Sequence, residues 1–293
     1  MDFGRLITAM ITPFHEDGSI NYSEAQRLAN YLLDNGSDGL CIAGTTGESA
    51  TMNPTERQEL FRAILEVTRE RGASMIAGCG SNNTAEAIRL CQGAAEVGAD
   101  AVLLVTPYYN KPTQDGLYAH YAAVAESVQL PVVLYNVPGR TGVNMQPATV
   151  ARLAQIPNIV ALKEATGDMD QMSLLTASLP PDFLVYSGED SAVLPMLALG
   201  ACGVVSVSSH IVGPEMKEMI MAWEKGDNEQ ALELHLRCFD AFRKMFLCTN
   251  PLPVKYAMQR LGFQVGPCRL PLTWLNPEQQ RVIDELLTEL GLL

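Results

Sequence analysis

An unbroken alternation of short apolar runs with segments of helical period constrains this chain more than any other feature. Residues 6–11, 39–43, 74–78, 101–106, 131–135, 159–162, 183–186 and 203–207 are apolar or β-branched and read as eight strands. Between them, residues 23–35, 54–71, 84–97, 116–127 and 148–155 carry the helical period. Asn53, followed by Pro54 and Glu56, marks a helix start: the Asn side chain caps exposed N–H groups, and a proline in the first turn forfeits no hydrogen bond. Eight parallel strands with crossover helices predict an α/β fold of the (β/α)8 TIM-barrel type. A doubly wound open sheet is the competing architecture, but its G-x-G-x-x-G turn after the first strand is missing. Beyond residue 213 no strand pattern recurs, and helical blocks follow at 214–225, 228–246, 251–261 and 277–290. The first of these closes the barrel. The expected division is a barrel over residues 1–225 and a C-terminal helical extension over 226–293.

The sixth apolar run contains a charge. Lys163 lies within Ile159-Val160-Ala161-Leu162-Lys163-Glu164-Ala165, which otherwise reads as a buried strand. Of the six lysines it alone is expected where water is scarce; Lys111, Lys217, Lys225, Lys244 and Lys255 fall in polar turns or amphipathic helical stretches. An amine in an apolar setting loses the hydration that favours its charged form, and the neutral amine is a nucleophile that attacks carbonyls. Two plainer readings stand beside that one: pairing with a neighbouring acid such as Glu164, or snorkelling from a strand end.

Composition narrows the function classes. With 293 residues, 47% of them hydrophobic, the chain can bury one large core. A formal net charge of −13 argues against nucleic-acid or anionic-membrane binding, which call for basic patches, and suits a small-molecule ligand. Seven scattered cysteines without C-x-x-C spacing fit a reducing compartment and read as packing residues. The N-terminal residues lack signal-peptide features and no apolar stretch approaches the roughly 18–20 residues that cross a bilayer, so a cytoplasmic location is expected. The four histidines are dispersed without an H-x-H or H-E-x-x-H pair, so no metal is expected.

Polar residues gather where the strands end, the rim that carries the active site in parallel barrels. Thr45-Thr46-Gly47-Glu48 follow strand two and Tyr108-Tyr109-Asn110 follow strand four, while Tyr135-Asn136 end strand five, Lys163-Glu164 end strand six and Ser187-Gly188-Glu189 end strand seven. Neighbouring strands stand roughly 4.8 Å apart, so Tyr135 and Lys163 can share a pocket in which a phenol moves protons for an amine. Tyr135 as a core residue with its hydroxyl at the rim is the plainer alternative. Gly44-Thr45-Thr46-Gly47-Glu48 offers N–H groups and hydroxyls to an anion, or is merely a tight turn. Arg140 offers a carboxylate clamp, or a surface salt bridge.

Four motifs in order, Gly44-Thr45-Thr46-Gly47-Glu48-Ser49-Ala50-Thr51, Val105-Thr106-Pro107-Tyr108-Tyr109-Asn110-Lys111-Pro112, Leu134-Tyr135-Asn136-Val137-Pro138-Gly139-Arg140-Thr141-Gly142 and Leu162-Lys163-Glu164-Ala165-Thr166-Gly167-Asp168, closely resemble the dihydrodipicolinate (4-hydroxy-tetrahydrodipicolinate) synthase family. This is a branch of the pyruvate-dependent class I aldolase and N-acetylneuraminate lyase superfamily. Ser187-Gly188-Glu189-Asp190 and Asn250-Pro251-Leu252-Pro253-Val254-Lys255 extend the resemblance over nearly the whole chain. The resemblance implies a lyase of lysine and diaminopimelate biosynthesis that condenses pyruvate, held as a Schiff base on Lys163, with L-aspartate 4-semialdehyde. It implies a proton relay of Thr45, Tyr135 and Tyr109, carboxylate contacts at Thr45, Thr46 and Arg140, and further pocket contacts at Gly188 and Val205. It also implies no cofactor beyond the lysine imine, and a homotetramer, a dimer of dimers, in which Tyr109 reaches the partner's site. A lysine-binding allosteric cleft in the family matches Ser49, Ala50, Asn82, Glu86 and Tyr108. Two positions that often carry histidine there hold Pro54 and Arg57 here. A fixed positive charge near a cationic effector predicts weak or absent lysine inhibition.

Two rival functions are distinguishable. A sialic-acid or sugar-acid lyase of the same superfamily shares the lysine and tyrosine, but a polyhydroxylated substrate calls for neutral hydroxyl partners where this chain offers Arg140. A non-catalytic ligand-binding barrel keeps the fold without the chemistry, yet Lys163, Tyr135, Tyr109 and Thr45 are all present.

Overall fold

The computed structural model describes residues 3–293. Eight strands, β1 (Leu6–Ala9), β2 (Gly39–Ile42), β3 (Ser74–Gly78), β4 (Ala101–Val105), β5 (Val132–Asn136), β6 (Ile159–Glu164), β7 (Leu184–Ser187) and β8 (Gly203–Ser206), form a closed barrel in sequence order. The parallel pairings of β1 with β2 and of β3 through β8 confirm the expected fold class. Nearly every strand residue is buried, which explains why the runs are continuously apolar: a parallel strand is covered on both faces.

The helices are α1 (Tyr22–Asp34), α2 (Pro54–Arg71), α3 (Thr84–Val97), α4 (Gln114–Glu126), α5 (Pro138–Thr141), α6 (Pro147–Leu153), α7 (Met169–Ser178), α8 (Val193–Ala198), α9 (Ser209–Glu224), α10 (Asn228–Lys244), α11 (Leu252–Arg260) and α12 (Pro277–Glu289). The Asn53 cap is a full capping box: its side chain accepts from the Glu56 N–H, and the Glu56 carboxylate accepts from the Asn53 N–H. Such a cap contributes about 1 kcal/mol. Gly72 ends α2 at φ 62°, a left-handed position where glycine carries no Cβ penalty.

Contacts divide the chain into two compact units, one of residues up to Ser74 with Ser206–Leu293, the other Met75–Val205. Within the first, α9 packs on α10 and on β1, and α11 on α12. Within the second, Met172, Val185, Ala192, Met196 and Ala201 form a cluster under α7 and α8.

Some details differ from the sequence expectation. Strand β6 runs to Glu164, two residues past the apolar run at 159–162, with Lys163 at its end as expected. Helices α7 and α8 lie where no period stood out: α7 buries only Gln171, Met172 and Leu175, and α8 has six residues. Helix α9 begins at Ser209, with Pro214 inside it and a non-helical Val212. The largest difference is Lys255. It was expected on an amphipathic helix open to water, yet it is 0% exposed, deeper than Lys163 at 6%. Every residue of α11 from Leu252 to Met258 is buried, so over that stretch no face of the helix is wet; only Gln259 and Arg260 at its end are exposed.

Candidate active site

Strand alternation sets the chemistry of the second unit. Ladder partners face the same side of a sheet, and successive residues face opposite sides. Tyr135 is the partner of Lys163, and Asn136 that of Glu164. The first pair therefore shares one face and the second pair the other. The Lys163 amine lies 4.4 Å from the centroid of the Tyr135 ring, with both residues buried. No acid neutralises Lys163 by ladder position. Instead the Glu164 carboxylate accepts from Asn136 Nδ2 at 3.1 Å, from the Thr166 N–H at 2.8 Å and from Gln171 Nε2 at 3.3 Å. The pairing of Lys163 with Glu164, one of the plainer readings, is thus excluded. Burial holds the Glu164 carboxyl above the usual range despite these three donors.

Strand β7 continues the row. Tyr186 is the partner of Lys163, which puts Gly188, two residues on, at the same face. A Cβ at Gly188 would lie 2.6 Å from Ala165 Cβ and 3.1 Å from Lys163 Cε, so only glycine leaves the lysine its place. Val204 pairs with Ser187, and the next residue, Val205, buried at the end of β8, falls on the same face by alternation. Arg140 is exposed on the short helix α5. Glu189, which sequence reasoning placed at the rim without a role, feels both cations. Its carboxyl is raised first by burial and then by the charge of Asp190, while Lys163 and Arg140 pull it back.

The first unit holds the Thr45-Thr46 turn. Thr46 is buried and its Oγ1 accepts from Asn250 Nδ2 at 2.9 Å. Glu48, in the left-handed region at φ 57°, is paired with Lys255 at 2.8 Å. Sequence reasoning named neither Asn250 nor Lys255 as a site residue. The non-glycine residues with positive φ among those described, Ala43, Glu48, Tyr109 and Lys111, all follow β2 or β4. Backbone held in such conformations costs roughly 1–3 kcal/mol per residue and concentrates at functional loops. Tyr109 is 89% exposed, whereas Tyr135 and Lys163 are buried. Among the described residues, no three His, Cys, Asp or Glu side chains stand where they could hold a metal ion, and no helix is long and apolar enough to cross a membrane.

A buried lysine amine seated on a phenol ring is an arrangement that lysine-dependent carbonyl chemistry can use, and comparison with known proteins gives the family. The family model described as the Dihydrodipicolinate synthetase family matches residues 2–290. The chain belongs to the dihydrodipicolinate synthetase family. The 4-hydroxy-tetrahydrodipicolinate synthase of Synechococcus elongatus is 53% identical over 291 residues, covering 99% of this chain and 97% of the relative. That of Desulforamulus reducens is 51% identical over 294 residues, covering 100% and 99%. Among solved structures, the dihydrodipicolinate synthase of Cyanidioschyzon merolae with lysine bound gives a TM-score of 0.97 at 46% identity, covering 99% of both chains.

The residues that the resemblance leads one to expect in a lysine cleft are placed as follows. In the first unit, Ala50 is exposed and the Ser49 carbonyl accepts from Arg57 Nη2 at 2.6 Å. In the second, Asn82 Nδ2 donates to the Tyr108 carbonyl at 3.1 Å, and Glu86 is ion-paired with Arg89.

Proposed function

We propose that this chain condenses pyruvate with L-aspartate 4-semialdehyde through an imine on Lys163, giving 4-hydroxy-tetrahydrodipicolinate for lysine and diaminopimelate biosynthesis. The observation that carries the residue assignment is the buried Lys163 amine 4.4 Å from the Tyr135 ring centroid, with no carboxylate taking up its hydrogens from the ladder. The amine adds to the C2 carbonyl of pyruvate, and the carbinolamine loses water to form the imine. Loss of a C3 proton gives the enamine, whose C3 attacks the aldehyde carbon of the second substrate. That substrate's own amine then displaces Lys163 from C2, closing the six-membered ring and restoring the lysine.

Each stage moves a proton, and a phenol beside the amine moves it between oxygen and nitrogen as general acid and base. Tyr135 takes that role, with Thr45 and Tyr109 as the further members of the relay. Thr45 and Thr46 hold the pyruvate carboxylate, and Arg140 holds that of the aldehyde substrate, where a guanidinium offers two parallel donors. The face shared by Lys163, Gly188 and Val205 lines the pocket. The lysine imine supplies the electron sink, so no metal or organic cofactor is needed. Tyr109, exposed in the single chain, serves the site of a partner subunit in a homotetramer.

Borohydride reduction in the presence of pyruvate tests the assignment, because it traps the imine as a stable secondary amine. Intact mass and peptide mapping should find one adduct, on Lys163. A folded, pyruvate-saturated sample without that adduct would leave a ligand-binding barrel as the better account. Lysine should inhibit weakly or not at all, since Arg57 puts a fixed cation among the residues matching the cleft. Inhibition at sub-millimolar lysine in a steady-state assay would overturn that reading.

A further inference from the structure

Lys255 is a second lysine removed from water, and it has no part in the reaction above. Its amine donates to Glu48 Oε1 at 2.8 Å and to the Pro267 carbonyl at 3.0 Å, and lies 4.5 Å from the Phe14 ring centroid. Its hydrogens are directed at partners, so it is no second nucleophile. The other oxygen of Glu48 accepts from the Arg269 N–H at 2.8 Å. A few residues before Lys255, Asn250 Nδ2 donates to Thr46 Oγ1. The turn after β2 is thus fastened once to the residues just before α11, once to α11 itself and once to the segment that follows it.

We propose that Lys255, Glu48 and Asn250 are positioning residues that lock the Thr45-Thr46 turn in the one shape that takes the pyruvate carboxylate. The proposal rests on the assignment of that turn to the carboxylate. Its first support is the anchor: the stretch Leu252–Met258 of α11 is buried around its circumference, so Lys255 projects from a part of the helix that has no solvent side toward which to shift. The second is the backbone of Glu48, whose left-handed conformation persists only where its surroundings over-determine it. Fixing both carboxylate oxygens does that. The third concerns direction. With the Asn250 amide donating to Thr46 Oγ1, the hydroxyl proton must point to another acceptor, which makes Thr46 a donor, the role a substrate carboxylate requires. A buried charge pair is no more stabilising than a well-packed apolar pair of similar volume, so stability alone does not account for one here.

The test is the double variant E48Q/K255M, which removes both charges together and leaves an acceptor for the Arg269 N–H. Folding is followed by circular dichroism, and the yield of borohydride-trapped Lys163 adduct is measured against pyruvate concentration. The expected result is a folded protein that reaches full trapping, with half-saturating pyruvate raised about tenfold and kcat at saturating pyruvate within about threefold of wild type. Wild-type half-saturation in the folded double variant would overturn the proposal. If that variant does not fold, N250A, which deletes one neutral hydrogen bond, decides: a rise of about fivefold supports the positioning role and no rise rejects it. Absence of any Lys163 adduct in the wild-type protein is a separate failure, that of the reaction assignment, and would take this proposal with it.

Discussion

At Gly188, a hydrogen atom in place of a methyl group decides whether Lys163 can stand where it does. The nearest neighbours of an added Cβ are Ala165 Cβ, the Glu164 carbonyl and Lys163 Cε, none of them the loose end of a surface side chain. Gly188→Ala should therefore push Lys163 off the Tyr135 ring. A displacement of about 1 Å at a reacting group costs on the order of a hundredfold in rate; the Lys163 Cε contact at 3.1 Å requires only a fraction of that, so kcat/KM should fall by about threefold to tenfold while the fold survives. A variant with wild-type kcat/KM would show that the lysine has room to spare. Lys163 itself was legible because it interrupts an apolar run, where a charge has no local explanation. Lys255 was not, because it is followed at short range by Gln259 and Arg260 and its burial comes from packing around every side of Leu252–Met258. Sequence periodicity reports on one helix and is blind to what covers its far side.

Strands β5 and β6 are tied together behind the reacting face. Asn136 bridges the Glu164 carboxylate to Asn144 Oδ1 at 2.8 Å, and Gln171 on α7 binds both Asn144 and Glu164. One polar cluster therefore sets the height of Tyr135 and Lys163 relative to each other. Because burial raises the Glu164 carboxyl, the folded chain holds that proton more tightly than the unfolded chain does. The resulting stability is fully present below the ordinary carboxyl range and is lost as the pH climbs through the raised folded value. Glu164→Gln carries no charge to bury and should escape that loss. The melting temperature of the variant, compared with wild type, should thus improve on going from about pH 5 to about pH 8. A difference independent of pH would mean that Glu164 stays ionised throughout. The strand ends that place these residues were readable from the apolar runs. Helix α7, which supplies Gln171, was not, since ten residues with three buried positions barely register as a period.

For the molecule as a whole, the exposed Tyr109 bears on assembly. If it completes a neighbour's site, a Tyr109→Phe chain and a Lys163→Ala chain, each nearly inactive alone, should restore activity when combined. In a two-fold symmetric pair of one chain of each kind, the intact lysine of the first meets the intact tyrosine of the second, reviving about half the sites. Co-expressed chains purified through two different tags would reveal it; a hybrid no more active than its parents would return Tyr109 to a role within its own subunit. The barrel and its closing helix could be read from the alternation of runs, whereas the grouping of the first strands with the last helices could not, because long-range contact leaves no periodic trace. That grouping has a consequence for how the chain is made. Strands β1 and β2 leave the ribosome before all of residues 75–205, yet the helices that complete their unit come after. At ordinary elongation rates the wait is on the order of ten seconds. During that interval the nascent N-terminal segment is an apolar surface without its cover, the stage of this protein's life most exposed to chaperone capture and aggregation.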